Sequence, residues 1–410
     1  METTNIKPKT IFTGDNLPIM RGMNSESVDL IYLDPPFNSN ANYAAPIGSA
    51  AAGAEFKDTW TLDDVDNAWL DLIETKYPAL NRVIHAAMTN SDKSYLIYMA
   101  PRLLEMKRIL KDTGSIYLHC DSTMSHYLKL VMDAVFGKRN FRREIIWNLE
   151  TASGFKSQVR GFIRGHDTIL YYVKSKEFIF NKIFQPHKPE YIKRFNKIDE
   201  EGRRYRDDRP NKRRQYLAET QGVAFTDVWT DIMSFQQHST AEERTGYPTQ
   251  KPLALLDRII KTSSNYGDVI FDPFCGCATT LVAADRLQRD WIGIDISGKA
   301  AELVVERIKA DQGLFQEIVA RTDIPKRTDL DDILRYNVPE NKTRLYGEQE
   351  GYCNGCGEHF QMRNLEVDHI IAETSGGTDH IGNLQLLCGH CNRVKGDRGQ
   401  EYLISRLNKN

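Results

Sequence analysis

Three groups of residues have types and spacings that could do chemistry. The first is Asp34-Pro35-Pro36-Phe37, directly after the apolar run 28–33. Two prolines remove two amide donors and hold the chain extended, so a carboxylate, a carbonyl and an aromatic face stand in fixed relation. Such a site accepts hydrogen bonds and stacks, which suits a planar amine; a structural turn is the other reading of the same residues. The second group is Asp272-Pro273-Phe274-Cys275-Gly276-Cys277-Ala278-Thr279-Thr280, with Asp295 at the end of the next apolar run. Small residues let a ligand approach the backbone, and an acid roughly 20 residues further on can bond ribose hydroxyls. The spacing fits an adenosine-containing cofactor. G-x-G-x-x-G is missing, which disfavours a dinucleotide, and a plain turn with an incidental acid stays open. The third group is Cys353, Cys356, Cys388 and Cys391, two C-x-x-C pairs whose four thiolates can complete a tetrahedral zinc site. The 31 residues between the pairs exceed a simple zinc ribbon. That insert carries Asp368-His369, Gly376-Gly377 and Asn383, and Asn392 and Lys395 follow the second pair.

Parallel strands buried on both faces read as short apolar runs, and 10–12, 28–33, 115–119, 168–173, 269–271 and 291–294 are such runs. Helix-like stretches lie between them at 95–110, 122–136, 252–263, 279–287 and 299–310. This alternation predicts a doubly wound α/β sheet, whose ligands bind beyond the carboxyl ends of the strands, where Asp34 and Asp272 stand. From about 174 to 237 the alternation is interrupted. Between Lys188 and Arg214 there are eleven Lys or Arg against six Asp or Glu, with Tyr191, Phe195 and Tyr205 interleaved. After about 310 the alternation stops and a polar stretch with Pro325 and Pro339 leads to the cysteines. The loop 38–54, rich in Ala, Gly, Asn and Ser, reads as mobile.

The 410 residues are too many for one ordinary core, and 40% hydrophobic with 27% charged residues excludes wholesale disorder, a collagen-like repeat and a coiled coil. No apolar stretch is long enough for a membrane span, and the polar start lacks a signal-peptide centre, so a cytoplasmic chain with no membrane partner is expected. Lys and Arg number 54 against 56 Asp and Glu, so any nucleic-acid affinity must come from local segregation of charge.

Taken together, the Asp-Pro-Pro-Phe loop and the Asp-Pro-Phe-x-Gly loop resemble the amino-methylating DNA methyltransferases that use S-adenosylmethionine. Their order, target loop first, resembles the permuted β class. Gly14-Asp15-Asn16 resembles the element whose acid approaches the cofactor adenine, 165–174 the strand after the target site, and Thr249-Gln250-Lys251-Pro252 the segment closing the methionine side. Ala278 stands where the family often has a second glycine. The resemblance implies an α/β fold: a Rossmann-like sheet with helices on both faces and an inserted target-recognition region. It also implies a cofactor site of Asp15, Asp272, Phe274, Gly276, Thr279, Asp295 and Lys251. Asp34 and the Pro35 carbonyl would accept the two hydrogens of an exocyclic amine, with Pro36 fixing the turn and Phe37 stacking on a base extruded from double-stranded DNA. The aspartate start points to adenine N6 over cytosine N4 in this family. Arg203, Arg204, Arg206 and Arg209 of the basic insertion would contact phosphate.

The tail from about 351 to 398 resembles the HNH nucleases, a small ββα-metal fold. On that resemblance His369 activates water, Asp368 and Asn392 bind Mg²⁺ or a similar divalent cation, Asn383 orients the His369 segment, and the four cysteines hold structural Zn²⁺. Asn392 replaces the family's usual His. The alternative is a zinc-stapled DNA-binding or spacer domain without cleavage. The expected organisation is a target-base half at 1–174, a target-recognition region at 175–237, a cofactor half at 238–310, a linker at 311–346 and the HNH zinc domain at 347–410. A restriction–modification role in a prokaryotic or phage nucleoid, with a homodimer admissible, completes the expectation, and an endonuclease whose methyltransferase body mainly supplies site recognition is its rival.

Overall fold

The structure is a computed structural model that describes residues 4–38, 41–44, 49, 51, 55–58, 73, 77–149, 158, 160–207, 213–235, 237, 240–312, 317–330 and 333–407. The chain begins with β1 (Thr10–Thr13), α1 (Asn16–Gly22) and β2 (Val28–Leu33), followed by the short hairpin β3 (Ala41–Ala44) and β4 (Glu55–Asp58). Helices α2 (Pro78–His85) and α3 (Asn90–Ile109) lead to β5 (Leu110–Cys120), α4 (Ser125–Met132), β6 (Phe141–Asn148) and β7 (His166–Val173). Short strands β8 (Phe184–Gln185), β9 (Lys197–Ile198), β10 (Arg204–Asp207), β11 (Arg214–Tyr216) and β12 (Val223–Ala224), with the one-turn α5 (Pro189–Ile192), make up the basic insertion. The chain returns through β13 (Val228–Trp229), α6 (Leu253–Ser263), β14 (Val269–Asp272), α7 (Thr279–Arg286), β15 (Asp290–Asp295), α8 (Gly298–Gln312) and β16 (Val319–Arg321).

Nine strands form one sheet in the order β13-β6-β7-β5-β2-β14-β15-β1-β16, and all its pairings are parallel except the two made by β7. Each apolar run sorts its side chains by alternation, as a strand buried on both faces must. Leu30 and Tyr32 of β2 join Ile11, Tyr117 and Ile270 against α6 and α7, while Ile31 and Leu33 join Phe12, Ile116 and Phe271 against α3 and α4. Helices therefore cover both faces, in agreement with the doubly wound reading.

Three elements differ from the expectation. β6 carries Arg142, Arg143 and Glu144 and does not read as an apolar run, yet seven of its eight residues pair with β7, the register shifting between Phe141 and Arg143. α1 has seven residues, too few for a periodic signal, and starts because the Asp15 side chain accepts the Leu17 amide. β16 lies in the stretch read as linker and pairs in parallel with β1.

The tail has its own core. α9 (Pro339–Glu348) packs on the antiparallel pair β17 (Leu365–His369) and β18 (Leu384–Cys388), followed by α10 (Gly389–Lys395) and α11 (Gln400–Leu407). Leu345, Leu365, Leu386, Leu387 and Leu403 are buried there together with Cys353, Cys388 and Cys391. Among the described residues no helix is long and apolar enough to cross a membrane.

Candidate active site and metal centre

β2 and β14 are neighbours running in the same direction, with Leu30 opposite Ile270 and Ile31 opposite Phe271. The Asp34 and Asp272 loops therefore leave the same edge of the sheet, which brings the two sequence signatures side by side. Beyond β2 the Pro-Pro turn is braced by Asp58, whose carboxylate accepts the amides of Phe37 at 3.2 Å and Asn38 at 2.7 Å. Asn38, in the left-handed region at φ 58°, is tied in turn to Ser91 and Asp92 at the start of α3. Asp34 Oδ2 accepts a hydrogen bond from Lys251 Nζ at 2.5 Å. Its Oδ1 is buried with no hydrogen-bond partner among the described residues. A buried carboxylate oxygen left bare costs free energy until a donor arrives. This is the chemistry of a site waiting for an N–H.

The wall behind Phe37 is a network. The His119 ring stacks at 6.0 Å from Phe37 with 22° between planes. His119 Nδ1 meets the Tyr32 hydroxyl at 2.9 Å and Nε2 meets Asp167 Oδ2 at 3.2 Å. Arg164 holds the other oxygen of Asp167 and stands 5.9 Å from the Phe37 ring, while Lys251 stands 5.3 Å from it. Burial alone would raise the Asp167 pKa, but the hydrogen bond and charge of His119 and the charges of Lys251 and Arg164 hold it well below the usual carboxylate range. His119 is fully buried and stands directly behind Phe37. Asp58, Tyr32, Asp167 and Arg164 were not legible, since nothing local marks them.

The residues expected on the cofactor side converge as well. Asp295 at the end of β15 accepts the amide of Gly276 at 2.8 Å and that of Ser297 at 2.9 Å. Asp272 accepts from Phe274 N at 3.0 Å and Thr280 Oγ1 at 2.5 Å, and burial pushes its pKa up to about 7. Asn16 donates to the Pro273 carbonyl at 2.8 Å, and Arg102 binds both Asn16 and Asp15. Gly276 sits at φ +48°, and a Cβ there would come within 3.0 Å of the Tyr247 ring. Only glycine lets Tyr247 close on this loop. Ala278, at the family's second-glycine position, is itself left-handed at φ 67°, a conformation costing an L-residue about 1–2 kcal/mol. Phe274 packs against the cluster on the α3 face, and Thr279 is turned toward Arg307 and Cys277. Lys251, expected on the methionine side, is placed on Asp34 instead; Gln250 pins its segment through Thr245 and Glu243.

In the tail, the sulfurs of Cys353, Cys356, Cys388 and Cys391 all lie within 4.8 Å of one another, and Cys353 Sγ accepts the Cys388 amide at 3.1 Å. That donor set fits a structural zinc ion. His369 Nε2 meets Asp379 Oδ1 at 2.7 Å, the Tyr336 ring lies 4.8 Å from the His369 ring, and the Tyr336 amide donates to Asp379 Oδ2 at 3.0 Å. Asn383 bonds Ile371 N, Ile371 O and Thr378 O, bracing the loop after His369. Asp368 pairs with Lys395 at 2.9 Å and Asn392 with Glu366 at 2.5 Å. The two side chains expected to share a divalent cation thus each pair with another residue. His369, Glu373 and Asp379 instead form the tail's second group of closely set donor atoms.

In the insertion, Arg203 pairs with Asp199 and Glu201, Arg204 bonds the Phe195 and Ile192 carbonyls, and Arg206 bonds Gln215 and lies over Tyr191 and Phe195. These three arginines hold the three-stranded β9–β11 sheet together. Arg209 lies outside the described residues.

Residues 28–306, which include both loops, match the model of the DNA methylase family, and 353–398 match that of the HNH endonucleases. The chain belongs to the DNA methylase family. This methylase carries a C-terminal HNH domain and acts on DNA. It is 27% identical over 402 residues to the type II methyltransferase M.EcaI of Enterobacter cloacae, covering 85% of this chain and 80% of that protein. It is 25% identical over 333 residues to the DNA adenine methyltransferase YhdJ of Escherichia coli, covering 79% of this chain and 93% of that one. Among solved structures, the M1.HpyAVI–SAM complex aligns with a TM-score of 0.40 and 17% identity, over 73% of this chain and 98% of that chain.

Proposed function

We propose that this methylase transfers a methyl group from S-adenosylmethionine to the N6 amine of an adenine extruded from double-stranded DNA. The bare, buried Oδ1 of Asp34 carries this reading. The exocyclic amine of adenine is a poor nucleophile because its lone pair is delocalised into the ring. Asp34 and the Pro35 carbonyl accept its two hydrogens and hold the nitrogen where that pair is localised. Phe37 stacks on the base, and His119 backs Phe37. Lys251 keeps Asp34 oriented beside the incoming ring.

Asp295 and Asp15 suit ribose and adenine hydroxyl and amine groups of the cofactor, and the Gly276 loop under Tyr247 suits its close approach to backbone. The cofactor supplies an electrophilic methyl on a sulfonium, and the protein's task is positioning rather than strong acid–base catalysis. The aspartate at the head of the tetrapeptide, and the similarity to an adenine methyltransferase, favour adenine over cytosine.

The test is transfer of labelled methyl to duplex DNA with product nucleosides separated. N6-methyladenine is expected in wild type, with at least a 100-fold loss in Asp34→Ala, about the cost of removing one group aimed at the reacting centre. N4-methylcytosine as the product would refute the adenine assignment. The second reading, strand cleavage by the tail, rests on the His369–Asp379 pair. Nicking in Mg²⁺ or Mn²⁺ that survives Asp34→Ala and vanishes in His369→Ala would establish it, and a chain that nicks but transfers no methyl would make it the main activity.

A further inference from the structure

The sheet carries a cavity away from the Asp34 edge. β6 and β5 run in the same direction, so the start of β6 and the end of β7 lie toward the opposite edge of the sheet. There a cavity of about 710 Å³ opens between β5, β6, β7, α6 and the two chain segments that enter and leave the insertion. That volume is in the range of small-molecule sites.

Three features of its lining point to one chemistry. First, the walls are aromatic and ordered. Tyr171 stacks on Tyr117 at 4.4 Å with 4° between planes, and its other neighbour, Phe180, lies 6.4 Å away at 24°. A planar ring between two faces needs about 7 Å, and Phe180, 52% exposed, is free to yield the difference. Second, the lining is cationic: Arg142, Arg143, Lys182 and Arg258 against Asp227. Arg258 is committed to Asp231 and Arg143 stands near Asp227, but Arg142 and Lys182 have no carboxylate partner among the described residues. Third, two polar atoms in the lining are buried and unsatisfied. Among the described residues, Arg142 Nε has no acceptor, and Tyr171 Oη, beside a Tyr117 hydroxyl already bonded to Ser263 at 2.6 Å, makes no hydrogen bond of normal geometry. Tyr171 is only 5% exposed, so water does not readily repair this.

We propose that this cavity is a nucleotide-binding site distinct from the methyl-transfer site. The base extends the Tyr117–Tyr171 stack under Phe180, Tyr171 Oη bonds an edge of the ring, and the phosphate meets Arg142 and Lys182. The shared chemistry is a base joined to phosphate, supplied either by a free nucleotide or by one nucleotide of a strand.

Calorimetric titration of the full chain with thymidine 5′-monophosphate tests this, because thymine is neither the proposed target base nor part of the proposed cofactor. Saturable binding is expected. It should weaken at least tenfold in both Arg142→Gln and Phe180→Ala, weaken similarly for thymidine without phosphate, and stay unchanged in Asp34→Ala. Phe180 is exposed enough for its replacement to leave the fold intact, which thermal unfolding verifies. A tetranucleotide of thymidylate binding at least tenfold more tightly than the monomer, with the same variant losses, identifies a strand as the source; equal affinity identifies the free nucleotide. Absence of saturable binding up to millimolar concentration, or affinity equal in wild type and both variants, overturns the site. Loss of binding in Asp34→Ala would assign the binding to the methyl-transfer pocket and equally overturn it.

Discussion

At the scale of residues, two aspartates at neighbouring strand ends have been given opposite environments. Among the described residues, Asp34 keeps a cation, Lys251, on one oxygen and leaves the other bare, whereas Asp272 makes no ion pair and is satisfied by a hydroxyl and an amide. Burial raises Asp272 to about 7, against roughly 3.9 for an aspartate in the unfolded chain. Between those values the folded protein binds a proton that the unfolded chain has lost, so stability falls as pH rises. The contribution is fully present below about pH 4 and is gone above about pH 7. Asp272→Asn, which cannot titrate, should flatten this part of the profile. Melting temperatures at pH 5 and pH 8 check it: wild type should lose more stability between them than the variant, and parallel profiles would place the proton elsewhere. Both aspartates were legible in sequence because each ends an apolar run at a Pro-containing turn. Asp58, Asp167 and Arg164 were not, because they reach the Phe37 pocket from distant loops and strand ends that carry no local pattern.

At the scale of elements, the buried strands announced themselves because a strand covered on both faces must be apolar throughout, as Val28–Leu33 is. β6 hid because its first residues are charged and partly exposed, and β16 hid because three residues suffice to pair with β1 but not to make a pattern. The tail shows a related limit. Its cysteines were readable from spacing alone, but the cover of Tyr336 over His369 was not, since it depends on how the chain entering the tail folds back. The tail's core is small: among the described residues it has nine buried side chains, of which three are cysteines. A core of that size needs a staple, and four thiolates bound to zinc turn metal affinity into folding free energy. One zinc per chain is therefore expected by metal analysis. Chelation should remove the tail's unfolding transition while the transition of the nine-stranded body persists, and Cys388→Ser should do the same. A tail transition unmoved by chelation would mean that the thiols are not metal-bound.

At the scale of the whole molecule, the question is whether the tail swings freely or is held to the methylase body. The connecting segment is fastened at several points. Asn24 bonds Thr328 through both its amide oxygen and its amide nitrogen, the Ser25 amide donates to Asp329 Oδ2 at 2.8 Å, and Arg327 spans Asp329 and Ser25. Further along, a Cβ on Gly376 of the HNH loop would meet the Pro18 carbonyl at 2.7 Å, so that loop rests on α1, the helix capped by Asp15. Burial opposes ionisation of Asp329, but the hydrogen bonds from Arg327 and Ser25 and the Arg327 charge outweigh it and hold the carboxyl well below its ordinary range. With a depressed folded value, this clamp contributes above the ordinary aspartate range and is lost as pH falls through it. Asp329→Asn removes the charge at every pH and should loosen the tether without touching either site. Limited proteolysis reads the result: the variant should release the tail several-fold faster than wild type at pH 7.5, with the body's melting temperature unchanged. Equal rates of cleavage would mean that the tail is held by its own contact with α1 and not by the clamp, and the methylase body and the HNH domain would then have to be brought to one DNA by that contact alone.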